Sequence, residues 1–415
     1  MGRAWFVHRD MPPQPLRPAQ RVCFFFNAQI HQLLHALPIA IALSRDPAFA
    51  IDVMAATHDH LALAREMAAA QGAGPIRFLR CGGRWLDGLT RITGGATPPK
   101  LAVLLAARRQ LRDYDVIVVP ERTSLLLRRL GLSKAKFVHT CHGAGDRAVG
   151  YDKRIAQFDF VLLAGEKQRQ RMLAEGLIRE GDYAIAGYSK FDLTARRSGG
   201  RSLFANDRPV ILYNPHFSDK LSSWPTMGEA IIRQFARDDR FNLIVAPHIR
   251  LFDNRRKRAA MEARLADLAR LPHVHIDLGS RASVDMRYVH MAALYVGDVS
   301  SQVYEYLARP RPCLFLNAHR AAWHDDRSYG HWRYGPVLDS SVLDSADGIV
   351  GAAADAIASH DAYADAQRQG VAHTFDDGAM PASMRAAQAL AAWLARTQPR
   401  AAVTPAPYRE VLAHG

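Results

Sequence analysis

Cysteine is scarce: the 415 residues contain only Cys23, Cys81, Cys141 and Cys313, and no two form a CxxC pair. This excludes a disulfide framework and a thiolate zinc site, and a reducing cytoplasm is the expected home. Cys141 closes an apolar strand pattern and reads as a core thiol, not a nucleophile. Long apolar runs are missing as well. Leu101–Ala107 is among the longest and is far too short to span a bilayer. The N-terminal stretch has Arg3, His8, Arg9 and several prolines, without the apolar core of a signal peptide. No HExxH occurs, the His and Asp residues read as forming no cluster with ligand spacing, and Asp325-Asp326 beside His324 reads as solvated loop, so no metal site is expected. GxGxxG does not follow the first strand, and GxxxxGK followed by Ser or Thr is absent. Nicotinamide chemistry and P-loop hydrolysis are thereby disfavoured, and no cofactor is expected.

Acidic residues are also in deficit. Lys and Arg number 54 against 40 Asp and Glu, a formal charge of +14 that suits anionic partners. The basic runs Arg255-Arg-Lys-Arg258 and Arg108-Arg109 lack interleaved aromatics, which argues against a nucleic-acid module. A phosphate-bearing ligand or an anionic membrane surface remains. Hydrophobic residues make up 49%, enough to fill cores, and the length suits two domains.

Short apolar runs alternate with helical patterns through two series. Arg21–Phe26, Ala50–Ala55, Ile76–Leu79, Asp115–Pro120, Lys136–Thr140, Phe158–Leu163 and Tyr183–Ala186 read as the strands of the first. Pro209–Tyr213, Phe241–Ala246, Val274–Asp277, Leu294–Val296 and Cys313–Leu316 read as those of the second. Between the series, the stretch from Thr194 to Ser202 is polar, basic and glycine-rich. The expected division is an N-terminal α/β domain over 1–195, a linker over 196–208 and a second α/β domain over 209–380. An amphipathic helix over 381–397 packs back on the first domain, and 398–415 form a tail. Two such series imply parallel sheets covered on both faces, with ligands beyond the carboxyl ends of the strands.

Polar residues gather at those strand ends. His142-Gly143 follows one strand, Asn214-Pro215-His216 another, Pro247-His248-Ile249-Arg250 a third, and Gly297-Asp298-Val299-Ser300-Ser301 a fourth. A neutral histidine can take a proton near pH 7, so His142 is the candidate base, with Gly143 and Gly145 leaving room for substrate. Asp146, Asp152 and Glu121 are candidates to orient it. Ser300 and Ser301 open a helix whose free N–H groups suit a phosphate, and a cap role for Ser300 is compatible with that. Glu305, in the same helix, suits ribose hydroxyls or is a solvated charge.

Taken in order, these clusters resemble the CDP-glycerol glycerophosphotransferases of teichoic-acid and capsule synthesis. The resemblance runs over roughly 136–396. It rests on His142-Gly143 with Arg147 and Gly150-Tyr151-Asp152, on Gly187-Tyr-Ser-Lys-Phe-Asp192, on Tyr213-Asn-Pro215 and on Pro247-His248. It continues through Asp298, Ser300, Ser301 and Glu305 to Asp377-Gly378 and Arg385. The sequence departs from the family's pattern at Ala144–Arg147, at His216-Phe217-Ser218 and at Ser189-Lys190.

The resemblance implies a GT-B fold, two Rossmann-like doubly wound domains facing across a cleft, with the donor nucleotide in the C-terminal domain. It implies that His142 deprotonates an acceptor hydroxyl, which attacks the donor's β-phosphorus and releases CMP. His248, Arg250, Asp298, Ser300, Ser301 and Glu305 would hold the donor, supported by Gly143, Arg147, Tyr213, Pro215 and His216. The expected activity is transfer of glycerol- or ribitol-phosphate to a surface glycopolymer or lipid-linked acceptor. It would take place in the cytoplasm or on the inner face of the plasma membrane. A nucleotide-sugar glycosyltransferase and a non-catalytic nucleotide-sugar-binding protein are the alternatives.

Overall fold

A computed structural model describes residues 19–93, 97–194 and 203–397. The expected tail over 398–415 and most of the expected linker lie outside these residues. Seven parallel strands form the first sheet: β1 Gln20–Phe26, β2 Phe49–Ala55, β3 Ile76–Arg80, β4 Val116–Val119, β5 Lys136–Thr140, β6 Phe160–Leu163 and β7 Tyr183–Ile185. Six form the second: β8 Val210–Asn214, β9 Asn242–Val245, β10 Val274–Ile276, β11 Leu294–Gly297, β12 Cys313–Leu316 and β13 Val337–Leu338. Their orders are β3-β2-β1-β4-β5-β6-β7 and β10-β9-β8-β11-β12-β13.

The apolar runs behave as sequence physics requires. Val116-Ile-Val-Val119 and Phe160-Val-Leu-Leu163 are buried at every position, as expected for central strands covered on both faces. Alternate residues of β1 enter different cores. Val22, Phe24 and Phe26 face the helix Leu33–Leu43, while Cys23 and Phe25 face the side of Leu104 and Leu111. Each sheet reverses its strand order once, between β1 and β4 and between β8 and β11. Such switch points open a crevice at the strand ends.

The helix Ala382–Thr397 returns to the first sheet. Its Trp393 stacks on Phe160 with ring centroids 4.9 Å apart, and Leu390 and Leu394 join the core of Leu33–Leu43. Asp192 caps this helix, accepting the N–H groups of Ala382 at 3.2 Å and Ser383 at 2.7 Å. Arg385 pairs with Asp376 and lies against Gly187, whose φ of +85° suits glycine. The Gly187–Asp192 and Asp376–Arg385 motifs therefore clamp the chain's return. Gly165 permits a close crossing, because a Cβ there would meet the Thr374 carbonyl oxygen at 2.4 Å. Ala144, Ala164 and Tyr188 of the first half share one core cluster with Leu212, Tyr304 and Phe375. The two halves thus meet through packed apolar surface as well as across the cleft.

Candidate active site in the cleft between the sheets

The two switch points face one cavity of about 440 Å³. A smaller cavity of about 210 Å³ adjoins it at Lys190 and Val284, but its walls are mostly apolar, including Ile30, Leu34, Leu63 and Met67. Polar chemistry is concentrated in the larger one. Seven of the chain's 18 histidines line it: His31, His35, His139, His142, His216, His248 and His331. Burial pushes the first six below the usual imidazole range. They therefore act at neutral pH as uncharged donors or acceptors.

His142 follows β5, and its ring is fixed by the backbone. Nδ1 lies 2.8 Å from the Pro120 carbonyl oxygen, which can only accept, so Nδ1 carries the proton. Nε2 is left with its lone pair and has no partner among the described residues. This is the tautomer a general base needs. Burial lowers its pKa, Glu121 raises it, and Arg122 lowers it further. The orienting group is thus a backbone carbonyl, not one of the three candidate carboxylates. Glu121 is paired with Lys100 at 2.6 Å and held near pKa 2 against its burial. Asp152 pairs with Arg154 at 2.7 Å. Asp146 accepts from Tyr304 at 2.5 Å and Lys167 at 2.9 Å and faces His331 at 3.4 Å.

His248 is fixed in the opposite sense. The Arg250 N–H lies 3.2 Å from Nδ1, which assigns Nδ1 as acceptor and leaves the proton on Nε2. Its ring meets His31 edge-on at 6.2 Å, at the cleft wall. Arg250 stacks over Phe217 at 4.0 Å and lowers the pKa of Arg147 by charge repulsion, after burial. No described carboxylate is in ion-pair contact with either arginine. His216 completes the group. Its Nδ1 lies 3.0 Å from the Ser218 N–H and its Nε2 lies 2.6 Å from Arg147. A neutral imidazole has one lone pair and cannot accept at both nitrogens, so an anionic oxygen here would relieve a donor facing a donor.

Other expected donor contacts stand differently. Asp298 is fully buried and accepts from the His216 N–H at 2.8 Å, the Ser223 N–H at 2.6 Å and the Ser223 hydroxyl at 3.0 Å. Burial lifts its pKa to about 6. It ties the loop after β8 to the end of β11, which is a positioning role. Glu305 accepts from Lys190 at 2.7 and 2.8 Å and from Tyr188 at 2.8 Å, so both oxygens are occupied across the domain boundary. Ser300 accepts the Gln302 N–H at 3.3 Å. The helix that Ser300 and Ser301 were expected to open is only Gln302–Tyr306, too short for an appreciable dipole. The space beside Gly145 is filled by Ser301, whose Cβ would lie 2.9 Å from a Cβ at that position. Tyr213 bonds to Ser223 at 2.9 Å inside the core, and the Pro215 carbonyl accepts from the His248 N–H at 2.9 Å.

Several site residues escape the sequence. Lys167 donates to the Ala144 carbonyl and Gln168 to that of Gly143, at 2.8 and 3.0 Å, so the helix Glu166–Ala174 holds the His142 loop. His31 and His35 stand one helical turn apart just beyond β1, a spacing that is visible in sequence once the strand end is located.

No family model matches the sequence, and no curated protein matches it. Solved structures do share its fold. A Listeria monocytogenes protein provisionally named a UDP-N-acetylglucosamine 2-epimerase is 14% identical, with a TM-score of 0.62 over 91% of this chain and 96% of that one. MnaA of S. aureus, solved with UDP, is 14% identical, with a TM-score of 0.58 over 91% and 97% of the two chains. The wall teichoic acid polymerase TagF, solved with CDPG, is 13% identical, with a TM-score of 0.59 over 92% and 90%. At such identities the likeness carries the architecture alone: a GT-B-like α/β fold of two parallel sheets with surrounding helices.

Proposed function

We propose that the protein is a transferase that moves glycerol- or ribitol-phosphate from a CDP-linked donor to a hydroxyl of a glycopolymer or lipid-linked acceptor, releasing CMP. The observation that carries this reading is the pairing of opposed histidine tautomers across one cleft. His142 offers a lone pair, while His248 offers an N–H beside two arginines that have no carboxylate partner among the described residues. The shared fold with TagF and the ordered motifs from His142 to Arg385 add support.

In the proposed reaction His142 Nε2 takes the acceptor's proton as the acceptor oxygen bonds to the donor's β-phosphorus. The bond from that phosphorus to the bridging oxygen breaks, CMP leaves with the electron pair, and His142 passes the proton to solvent. His248, Arg147 and Arg250 stabilise the developing charge, and His216 positions Arg147. The C-terminal domain is then the donor side and the N-terminal domain the acceptor side.

Peripheral contact with an anionic membrane belongs to the same proposal. No helix among the described residues is long and apolar enough to cross a membrane. Trp85 and Ile92 on one helix and Leu101 and Leu105 on the next are 53–84% exposed, with Arg84, Arg91 and Arg109 exposed among them.

A nucleotide-sugar glycosyltransferase remains the second reading. Epimerases share the fold, so the deciding assay offers purified protein CDP-glycerol, CDP-ribitol and UDP-N-acetylglucosamine. CMP release with acceptor supports the proposal. A nucleoside diphosphate with a new glycoside, or an epimerised sugar, overturns it. If no nucleotide raises the melting temperature, the non-catalytic reading gains.

A further inference from the structure

The cavity of about 210 Å³ beside the cleft owes its apolar walls to two helical patterns. Leu63, Met67 and Ala70 recur at helical spacing on the helix His58–Ala70 and turn one face to it. Ile30 and Leu34, one turn apart just beyond β1, supply a second wall. Their chain neighbours His31 and His35 line the main cleft instead. One turn of chain thus presents carbon to the smaller cavity and imidazole to the larger. Lys190 and Val284 line both, so a single molecule with a polar and an apolar end can occupy the two at once.

The charged residues of the smaller cavity are all engaged within the chain. Lys190 donates to Glu305 at 2.7 and 2.8 Å, and Asp192 accepts the N–H groups of Ala382 and Ser383. Arg281 pairs with Glu66 at 3.0 Å, and Asp285 accepts the Arg287 N–H at 3.1 Å.

That pairing restricts the ligand. An ionic group would have to compete with partners already in place, and a sugar would bury hydroxyls against carbon. Hydrocarbon is favoured, since apolar cavities hold water poorly and take apolar guests. A cavity of about 150 Å³ accepts a six-carbon ring, so one of this size suits roughly eight carbons. The rim is open to solvent at Ala70 and Arg281, both exposed, which leaves a way out for a longer chain.

Building on the proposed transfer reaction, we infer that the acceptor is an amphiphile and that the smaller cavity is a hydrocarbon subsite for the alkyl or prenyl chain it carries. The polar head lies in the main cleft, and the chain leaves it past Lys190 and Val284. Its first carbons, roughly eight, pack on Leu63, Met67, Ile30 and Leu34 before the rest emerges at the rim.

The test uses the full chain, CDP-glycerol as donor, and ethyl, butyl, hexyl, octyl and decyl glucosides as acceptors, each below its micelle-forming concentration. CMP release gives kcat/KM, and calorimetric titration gives each glucoside's dissociation constant. Both should improve about two- to fourfold per added methylene and level off beyond roughly eight carbons. Ala70→Trp, at an exposed position on the rim, should cut the gain to below about 1.5-fold per methylene and leave the donor's dissociation constant unchanged. Affinity that ignores chain length overturns the inference, as does a full gain in Ala70→Trp. Tighter binding without higher kcat/KM assigns the cavity to a separate lipid and defeats the acceptor claim. If CDP-glycerol neither binds nor yields CMP, the transfer reading fails, and the titrations alone judge the cavity. The chain-length series needs no variant, so it decides even if Ala70→Trp unfolds.

Discussion

Removing either partner of the Lys190–Glu305 pair should loosen the joint between the domains without touching the donor. Nζ lies 2.7 and 2.8 Å from the two carboxylate oxygens, and the side chains are 5% and 7% exposed. Tyr188 adds a third contact at 2.8 Å. Lys190→Met leaves a buried carboxylate with only the tyrosine hydroxyl, and Glu305→Gln leaves a buried ammonium facing a neutral amide. Stranding one charge of a buried pair costs about 3–5 kcal/mol. The double variant removes both charges together, so its loss should fall short of the summed losses by about 2 kcal/mol or more. Urea unfolding followed by tryptophan fluorescence measures this, with the donor's dissociation constant taken on the same samples. Single losses below about 1 kcal/mol would show that the pair is solvated and that the closed interface is wrong. A tenfold weaker donor affinity for Glu305→Gln, with unfolding unchanged, would return Glu305 to the donor site.

Three further outcomes follow from the geometry. Burial puts the pKa of His142 below its ordinary 6.5, so the acid limb of kcat/KM should fall below that pH. Glu121→Gln removes an upward influence and should move the limb lower, whereas Arg122→Gln should move it higher; shifts in the opposite directions would refute the electrostatic account. Arg147→Ala and Arg250→Ala should each raise donor KM about 10–100-fold, as expected for charged hydrogen bonds of about 1.5–3 kcal/mol, and changes below twofold would exclude them from the phosphate site. Cosedimentation with vesicles rich in anionic lipid should fall sharply for Trp85→Ser/Ile92→Ser, with catalysis on soluble acceptors unchanged. Undiminished cosedimentation would rule out those helices as the contact.

Much of the fold was legible because central parallel strands are continuous apolar runs. Lys136–Thr140 and Cys313–Leu316 are found at the expected bounds. The helix Ala382–Thr397 was equally visible, since its buried positions recur at helical spacing. The edge strand Val337–Leu338 was not, because two half-buried residues leave no pattern. The helix before β11 is only Arg287–Met291, preceded by Met286 in the left-handed region at φ 66°, a break that no residue type in the sequence marks.

In the site, histidines at strand ends could be read directly. Their partners could not, since the oxygen that fixes His142 belongs to the backbone of Pro120 and carries no side-chain signature. Lys190 and Glu305 lie 115 residues apart, and nothing local shows that they meet. Glu305 in sequence resembled a ribose ligand because spacing marks the helix face but not what already occupies it.

The central claim is that His142 removes the proton that starts phosphoryl transfer, and CMP release by His142→Ala tests it most directly. With CDP-glycerol and a hydroxyl acceptor, kcat should fall by about 10²–10⁴-fold while the donor's dissociation constant stays within about twofold. Turnover equal to that of the unaltered protein would contradict the claim.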